Sequence, residues 1–176
     1  MIIVISGRAG SGKSTIAKII AKKLNLTHYS MGDLTRQIAK EKGISLLDLG
    51  KIEEIDDSID KELDEKQKEL GKGDNFVIDG RLSAFFIPNA DFKIFLDADK
   101  TERAKRILTD KRGEEKNLDL ATTLKNMDKR EESENNRYFK YYGFNCYDIS
   151  KYNLVLDTTN LEVEEVIKKV LEFIKA

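Results

Sequence analysis

Hydrophobic and polar positions at the start of the chain alternate between two patterns. Residues 2–5 are all β-branched or aliphatic, which is typical of a strand buried on both faces of a parallel sheet. A glycine-rich stretch follows, and the apolar positions between residues 16 and 24 then recur at helical spacing. This order predicts a strand, a glycine loop and a helix that runs from residue 13 to about residue 24.

The same alternation continues to the end of the chain. Four more apolar stretches predict strands, at residues 26–30, 75–78, 92–96 and 153–156. Three further patterns predict helices, at residues 101–109, 118–142 and 161–174. Strands that alternate with helices indicate an α/β protein with a parallel sheet.

One region interrupts this alternation. Between Gly32 and Gly73 no strand pattern is present, and two helical patterns are separated near residues 43–45. The second of them runs through residues 52–70 on a strongly charged background, which is typical of an amphipathic surface helix. Residues 110–117 are polar and predict a loop.

Composition narrows the class of protein. A length of 176 residues predicts one domain, and 31 Lys plus Arg against 32 Asp plus Glu give a net charge of -1. That balance argues against a nucleic-acid binder and against a polybasic membrane protein. A single Cys and a single His exclude an intrachain disulfide and a zinc site rich in either residue. With no apolar run long enough for a membrane helix and no secretory pattern, we expect a cytoplasmic protein.

The glycine-rich stretch carries the strongest chemical signal. Gly7-Arg8-Ala9-Gly10-Ser11-Gly12-Lys13-Ser14 fits the phosphate-binding pattern G-x-x-x-x-G-K-[ST] and lies between a predicted strand and a predicted helix. Backbone N–H groups of such a loop surround phosphates, Lys13 would reach the β and γ phosphates, and Ser14 would ligate Mg²⁺. The dinucleotide pattern G-x-G-x-x-G is not completed, because Thr15 stands at its last position. We expect ATP to bind through Gly7, Arg8, Ala9, Gly10, Ser11, Gly12, Lys13, Ser14 and Thr15.

Charged residues at the ends of the predicted strands indicate a second phosphate site. Asp79 ends the third predicted strand and could complete a magnesium shell with Ser14, and Asp97 after the fourth strand is its alternative. Arg81 lies at the same sheet edge, where a guanidinium fits a second phosphoryl group. Arg36 follows the second strand and could share an anion with a helix start that Asp33 caps.

Further arginines are spaced for one helix face. Arg130, Glu134 and Arg137 stand at i, i+4 and i+7, and Arg103 and Arg106 at i and i+3. The first face is a candidate acceptor site, but spacing alone favours a surface ion-pair ladder. The second pair alone is typical of a solvated face.

These segments together resemble the nucleoside monophosphate kinases and, within them, the cytidylate kinases, most closely the short archaeal type. The resemblance is carried in family order by residues 7–15, 31–36, 77–81, 92–98, 102–106, 129–137 and 156–159. It implies a P-loop NTPase fold with a five-stranded parallel sheet flanked by helices. It divides the single domain, residues 1–176, into a core (1–31, 74–108 and 118–176), a helical monophosphate-binding insertion (about 32–73) and a short lid (about 109–117).

The resemblance also implies roles for individual residues. Lys13, Arg81, Arg130 and Arg137 would be catalytic, and Arg103 and Arg106 would lie by the donor nucleotide. The acceptor would be held by Asp33, Arg36, Arg81, Arg130, Glu134 and Arg137. Glu134 matches an acidic position that such kinases use at the cytosine, where a carboxylate accepts from the N4 amino group; the alternative is that it only pairs with Arg130.

Two departures from the bacterial enzymes concern the acceptor pocket. Leu82 replaces an aspartate and Met31 replaces a serine, so a sugar contact is lost or moved and preference between CMP and dCMP is open. The predicted activity is transfer of the γ-phosphoryl group of ATP to CMP or dCMP, with Mg²⁺, by a monomer that binds neither nucleic acid nor membranes. The alternatives are a kinase of UMP or AMP and, more distantly, a P-loop nucleotide switch.

Overall fold

The predicted parallel sheet is confirmed by a computed structural model, which describes residues 1–110 and 118–175. Five strands pair in parallel in the order β2-β3-β1-β4-β5. Their bounds are β1 Ile2–Gly7, β2 Thr27–Ser30, β3 Phe76–Asp79, β4 Phe92–Asp97 and β5 Leu154–Asp157. Every residue of β1 and β3 is buried, as expected of central strands covered on both faces.

Helices cover both faces of this sheet. The described helices are α1 Lys13–Leu24, α2 Met31–Glu41, α3 Leu46–Glu53, α4 Ser58–Leu70, α5 Ser83–Phe86, α6 Lys100–Thr109, α7 Leu120–Tyr142 and α8 Val163–Lys175. Ile3 and Ile5 pack with apolar residues of α1 and α8 on one face, whereas Ile2 and Val4 pack with Phe95 on the other. The alternation along β1 therefore separates two cores.

The inserted region differs from its prediction in one respect. The single helix expected over residues 52–70 is two helices, α3 and α4, and the chain turns between them. The Asp56 side chain accepts a hydrogen bond from the Ser58 backbone N–H at 2.9 Å, and such a local bond competes with helix continuation. Leu49 of α3 and Ile59 and Leu63 of α4 form a small core of their own with Ala39 of α2.

Two other differences concern short segments. Helix α5 was not expected, because one helical turn is too short to show periodicity. Helix α6 ends at Thr109, and residues 111–117 of the expected lid lie outside the described residues. Within the described ranges, no helix is both long enough and apolar enough to cross a membrane.

Candidate active site

The glycine loop begins at the carboxyl edge of the sheet, between two neighbouring strands. In the sheet register Ile5 pairs with Asp79 of β3 and Gly7 pairs with Leu96 of β4, so the loop starts where both of those strands end. Helix α1 starts after Gly12, which has φ of 86° and offers no side-chain cap to the first-turn N–H groups. Uncapped N–H groups and the positive end of the helix dipole form an anion-binding site.

Close packing requires a glycine in the middle of the loop. Gly10 has φ of 78°, and a Cβ atom there would lie 2.4 Å from the carbonyl oxygen of Arg103. A side chain at this position would push the loop away from α6, so the close approach fixes the loop against the body of the protein.

A serine and an aspartate meet beside the loop, as the sequence predicted. Ser14 Oγ donates to Asp79 Oδ1 at 2.7 Å, and Ser30 Oγ donates to the same oxygen at 3.1 Å. His28 Nε2 lies 2.8 Å from the other oxygen, Oδ2, and the Asp79 side chain is fully buried. A hydroxyl and a carboxylate at this place are oxygen donors of the kind that Mg²⁺ prefers.

The second candidate aspartate has different neighbours. Asp97 lies 3.4 Å from Arg8 Nε and 3.7 Å from Arg103 Nε. Glu131 of α7 joins the same two arginines, with its Oε2 2.6 Å from Arg8 NH1 and its Oε1 2.6 Å from Arg103 NH1. Arg103 also donates to the Ala9 carbonyl at 3.0 Å. These groups hold the outer side of the glycine loop in place. Arg103 is buried, so the prediction of a solvated face, which rested on spacing alone, is wrong for this residue.

The prediction of a surface ion-pair ladder on α7 is also wrong. Glu134 is buried, with its Oε2 2.7 Å from Arg81 Nε, and its Oε1 accepts a hydrogen bond from Arg130 Nε at 3.0 Å. Burial alone would raise the pKa of Glu134, but Arg81 and then Arg130 hold that pKa below its ordinary value. The carboxylate is therefore ionised and orients two of the predicted catalytic arginines.

Arg137 lies one turn further along the same buried face. Its guanidinium pairs with Glu53 of α3, and its Nε lies 3.4 Å from Asp60 Oδ2 of α4. Arg137, Glu53 and Asp60 are each at most 5% exposed. Helix α7 thus connects Arg81, after the end of β3, with the inserted helices.

The start of α2 corrects one prediction. Ser30, and not Asp33, is the N-cap residue, because its Oγ accepts from the Asp33 backbone N–H at 3.3 Å. The Asp33 carboxylate pairs with Arg36 instead. Both side chains line the cleft, as expected for an acceptor site.

Arg106 of α6 contacts the turn that follows β5. It donates to Thr158 Oγ1 at 3.0 Å and to the Thr158 carbonyl at 2.8 Å, which ties α6 to the turn after β5. Arg106 and Thr159 both line the cleft near the end of α6.

A cleft of about 1620 Å³ extends from the glycine loop to the inserted helices. Its lining includes Gly10 to Thr15 of the loop, Arg36, Arg81, Arg130, Glu134, Arg137 and the buried carboxylates of α3 and α4. Burial and then the charge of Arg81 lower the pKa of Lys13 to about 7. The arrangement can neutralise several phosphate charges.

Several residues of the site were missed by the sequence analysis. Glu131 lies within a segment that carried the family resemblance, so its acidic position beside Arg130 was a usable signal. Glu53, Asp60 and Asp64 gave none, because isolated carboxylates on a charged helix are indistinguishable from solvated ones until their burial is known.

Solved structures with the same fold include several kinases. Shikimate kinase from Bacteroides thetaiotaomicron matches with a TM-score of 0.68 at 15% identity and covers 100% of this chain and 99% of its own. Shikimate kinase from Aquifex aeolicus matches with a TM-score of 0.61 at 19% identity, covering 99% of this chain and 96% of its own. At these identities the likeness shows the fold alone.

Sequence comparisons point to one family. A cytidylate kinase from Methanocaldococcus jannaschii is 40% identical over 174 residues, covering 97% of this chain and 95% of its own. Another from Methanosphaera stadtmanae is 38% identical over 176 residues, covering 98% of each chain. The profile of the cytidylate kinase-like family matches residues 2–160. The chain therefore belongs to the cytidylate kinase-like family.

Proposed function

We propose that the protein transfers the γ-phosphoryl group of ATP to CMP and forms ADP and CDP. The observation that carries this proposal is a single cleft in which the glycine loop faces Arg36, Arg81, Arg130 and Arg137. ATP hydrolysis alone would need no second set of arginines, whereas an acceptor phosphate does. The relatives of similar length are cytidylate kinases, and this supports CMP as the acceptor.

The mechanism is in-line displacement at the γ-phosphorus. An acceptor phosphate oxygen attacks, the β–γ bridging oxygen leaves with ADP, and Lys13 and the arginines neutralise the charge on the transferred group. No general base is required, because the attacking phosphate oxygen is already anionic. Positioning and charge neutralisation then supply the rate enhancement.

Ser14 and Asp79 are the residues that would hold Mg²⁺. Their oxygens lie 2.7 Å apart at the end of the loop, and oxygen donors of this kind suit the ion together with nucleotide phosphates. When bound, Mg²⁺ would act as a Lewis acid and withdraw negative charge from the nucleotide phosphates.

Closure of the cleft belongs to the same proposal. Residues 32–73 would close over the acceptor, which excludes water as a competing acceptor. Action as a monomer is part of the same proposal. Acceptance of dCMP beside CMP also remains part of the proposal.

The decisive experiment measures ADP release with ATP and, separately, CMP, dCMP, UMP, AMP, GMP and shikimate. We expect the highest kcat/KM with CMP and no turnover of shikimate. Preference for UMP or AMP would replace the substrate while keeping the reaction class. Slow ATP hydrolysis that no acceptor stimulates would indicate a nucleotide switch and contradict the proposal.

A further inference from the structure

One tyrosine contacts the charged groups that meet at both carboxylates of α7. Glu131 and Glu134 stand at i and i+3 and therefore share one face of this helix. The ring centroid of Tyr147 lies 4.2 Å from the guanidinium carbon of Arg8, the partner of Glu131. The Tyr147 hydroxyl donates to Glu134 Oε2 at 3.4 Å. Tyr147 thus links the contacts of the glycine loop to those of the acceptor arginines.

The chain after α7 is folded so that Tyr147 returns to this helix. Helix α7 ends at Gly143, whose φ of 61° is the left-handed conformation that glycine adopts without strain. Asn145 Oδ1 then accepts a hydrogen bond from the Tyr147 backbone N–H at 2.9 Å, which forms a local turn. The ring packs against the apolar core that contains Phe95 and Tyr152. A turn and core packing therefore fix the position of the ring.

The hydroxyl of Tyr147 is a hydrogen-bond donor to an ionised carboxylate. Burial raises the pKa of Tyr147, and the charge of Glu134 raises it further, so the phenol keeps its proton. Glu134 Oε2 lies 2.7 Å from Arg81 Nε at the same time. The hydroxyl therefore restricts the carboxylate oxygen that orients Arg81.

The ring of Tyr147 acts on the glycine loop through Arg8. A guanidinium that lies over an aromatic ring is attracted by the negative face of the ring. The carbonyl oxygen of Arg8 accepts hydrogen bonds from the Ser11 backbone N–H at 3.2 Å and from Lys13 Nζ at 3.4 Å. A displacement of Arg8 would therefore move both the turn of the loop and the lysine of the donor site.

The groups that Tyr147 holds line the cleft, although Tyr147 does not. Within the described ranges, neither Tyr147 nor Arg8 belongs to the lining of the cleft. Lys13, Arg81 and Glu134 do belong to it. An effect of Tyr147 on the reaction must therefore pass through these three side chains.

We propose that Tyr147 is a positioning residue for phosphoryl transfer and serves both substrate sites. Its hydroxyl keeps Glu134 in the orientation that presents Arg81 to the acceptor phosphate. Its ring keeps Arg8 in place, and the Arg8 carbonyl in turn keeps Lys13 at the donor phosphates. The inference rests on the proposed function and assigns the two tasks to different parts of one side chain.

Tyr147→Phe removes the hydroxyl and keeps the ring. We expect kcat/KM for the acceptor to fall about 3- to 10-fold, the effect of losing one hydrogen bond. ATP affinity, measured by titration calorimetry without acceptor, should stay at the wild-type value because the ring still contacts Arg8. The acceptor in this measurement is the monophosphate that the wild type prefers.

Tyr147→Leu removes the ring as well. We expect its ATP affinity to fall about 3-fold or more, because the contact between the ring and the Arg8 guanidinium is lost. If this variant does not fold, Tyr147→Met takes its place, since the longer side chain fills more of the space. Tyr152→Phe is the matched control, because it removes another buried tyrosine hydroxyl, beside Phe95 in the core, and should keep both constants at the wild-type values.

A combined variant shows whether the hydroxyl acts through Glu134. In Glu134→Gln the carboxylate is already lost, so adding Tyr147→Phe should lower kcat/KM by less than it does in the wild type. Losses that multiply in full would contradict a shared pathway.

Three further results would overturn the inference. They are a wild-type kcat/KM in Tyr147→Phe, an equal loss of ATP affinity in Tyr147→Phe and Tyr147→Leu, and a wild-type ATP affinity in the variant that lacks the ring. A role in packing alone would lower the melting temperature and leave both constants of the folded protein unchanged. The proposed function fails on the wild type instead, if no monophosphate stimulates ADP release, and the ATP titrations decide the role of the ring even then.

Discussion

At the scale of single residues, the site is built from charges that are held in place by other charges. Lys13 is the one cation of the glycine loop that lines the cleft, and the loop around it offers backbone N–H groups. We therefore propose that its role is electrostatic and concerns the transferred phosphoryl group. The packing of α1 depends instead on Ile16, Ala17 and Ile20, which are buried in the core.

Lys13→Ala is expected to abolish most activity while the fold survives. Loss of one preorganised donor at a developing charge should lower kcat on the order of 10²-fold or more. Steady-state kinetics and circular dichroism check the two halves of this expectation, with Lys22→Ala on the exposed side of α1 as the control. A folded Lys13→Ala protein with wild-type turnover would contradict the donor-site assignment.

Glu134→Gln tests the two explanations that the sequence left open for this residue. Because the carboxylate pairs with Arg81 and Arg130, removing its charge should misplace both arginines, and we expect kcat/KM to fall together for CMP and UMP. The loss should be on the order of 10-fold or more, since a buried charge pair is broken. A fall confined to CMP would instead support direct contact with cytosine.

At the scale of elements, α7 connects the two halves of the cleft. Its Glu131 binds Arg8 of the glycine loop and Arg103 of α6, whereas Arg137, further along, contacts α3 and α4. The helix is 23 residues long, and this length is what allows one rigid element to reach both regions. One helix thereby connects the glycine loop with the inserted helices.

Glu131→Gln is expected to weaken this connection. Two charge-assisted contacts of 2.6 Å lose their charge, which should destabilise the protein by about 2 kcal/mol and loosen the glycine loop. Asp128 also lies on α7 and forms an exposed pair with Lys100 of α6, so Asp128→Asn should cost less than about 1 kcal/mol. Urea unfolding of the two variants measures the difference, and equal losses would show that Glu131 is no more than a surface partner.

At the scale of the whole molecule, the order of strands decides where the chemistry takes place. Helices lie on both faces of the sheet, and β1 stands between β3 and β4. The order of the strands reverses on the two sides of β1, and the loop after β1 therefore lies at the topological switch point of the sheet. The insertion adds carboxylates to this edge, and their burial makes stability depend on pH.

The protein is expected to lose stability as pH rises from about 4 to about 7. Burial raises the pKa of Asp60 from 3.8 to about 7, so within this window the folded state holds a proton that the unfolded state has released. The stabilisation that the proton on Asp60 provides is fully present below the unfolded pKa of 3.8 and is lost above the folded pKa of about 7. Burial also raises the pKa of Asp64 and Glu53, which adds to the same trend.

Thermal unfolding of wild type and Asp60→Asn across this range measures the effect. The variant cannot ionise at position 60. The difference between its melting temperature and that of the wild type should therefore shift in favour of the variant as pH rises. A constant difference between the two proteins at every pH would show that Asp60 does not titrate in this window.

The sequence by itself determined the alternation of strands and helices and the glycine loop, and it left Asp79 and Asp97 as the two candidates to meet Ser14. These features depend on periodicity and on motifs whose parts are adjacent in the chain or lie at strand ends of one sheet. The break between α3 and α4 escaped the sequence analysis, because both helices continue the same charged, amphipathic pattern.

Only the tertiary structure decided which charges are buried and what they face. The arginines of α7 have the spacing of a surface ladder, yet Glu134 is 7% exposed and meets Arg81 from another strand end. Asp60 likewise lies in a run of charged residues but is buried against Arg137. Helical spacing says which side chains share a face, whereas the partner of that face comes from a distant part of the chain and is brought there by the packing of the two apolar cores.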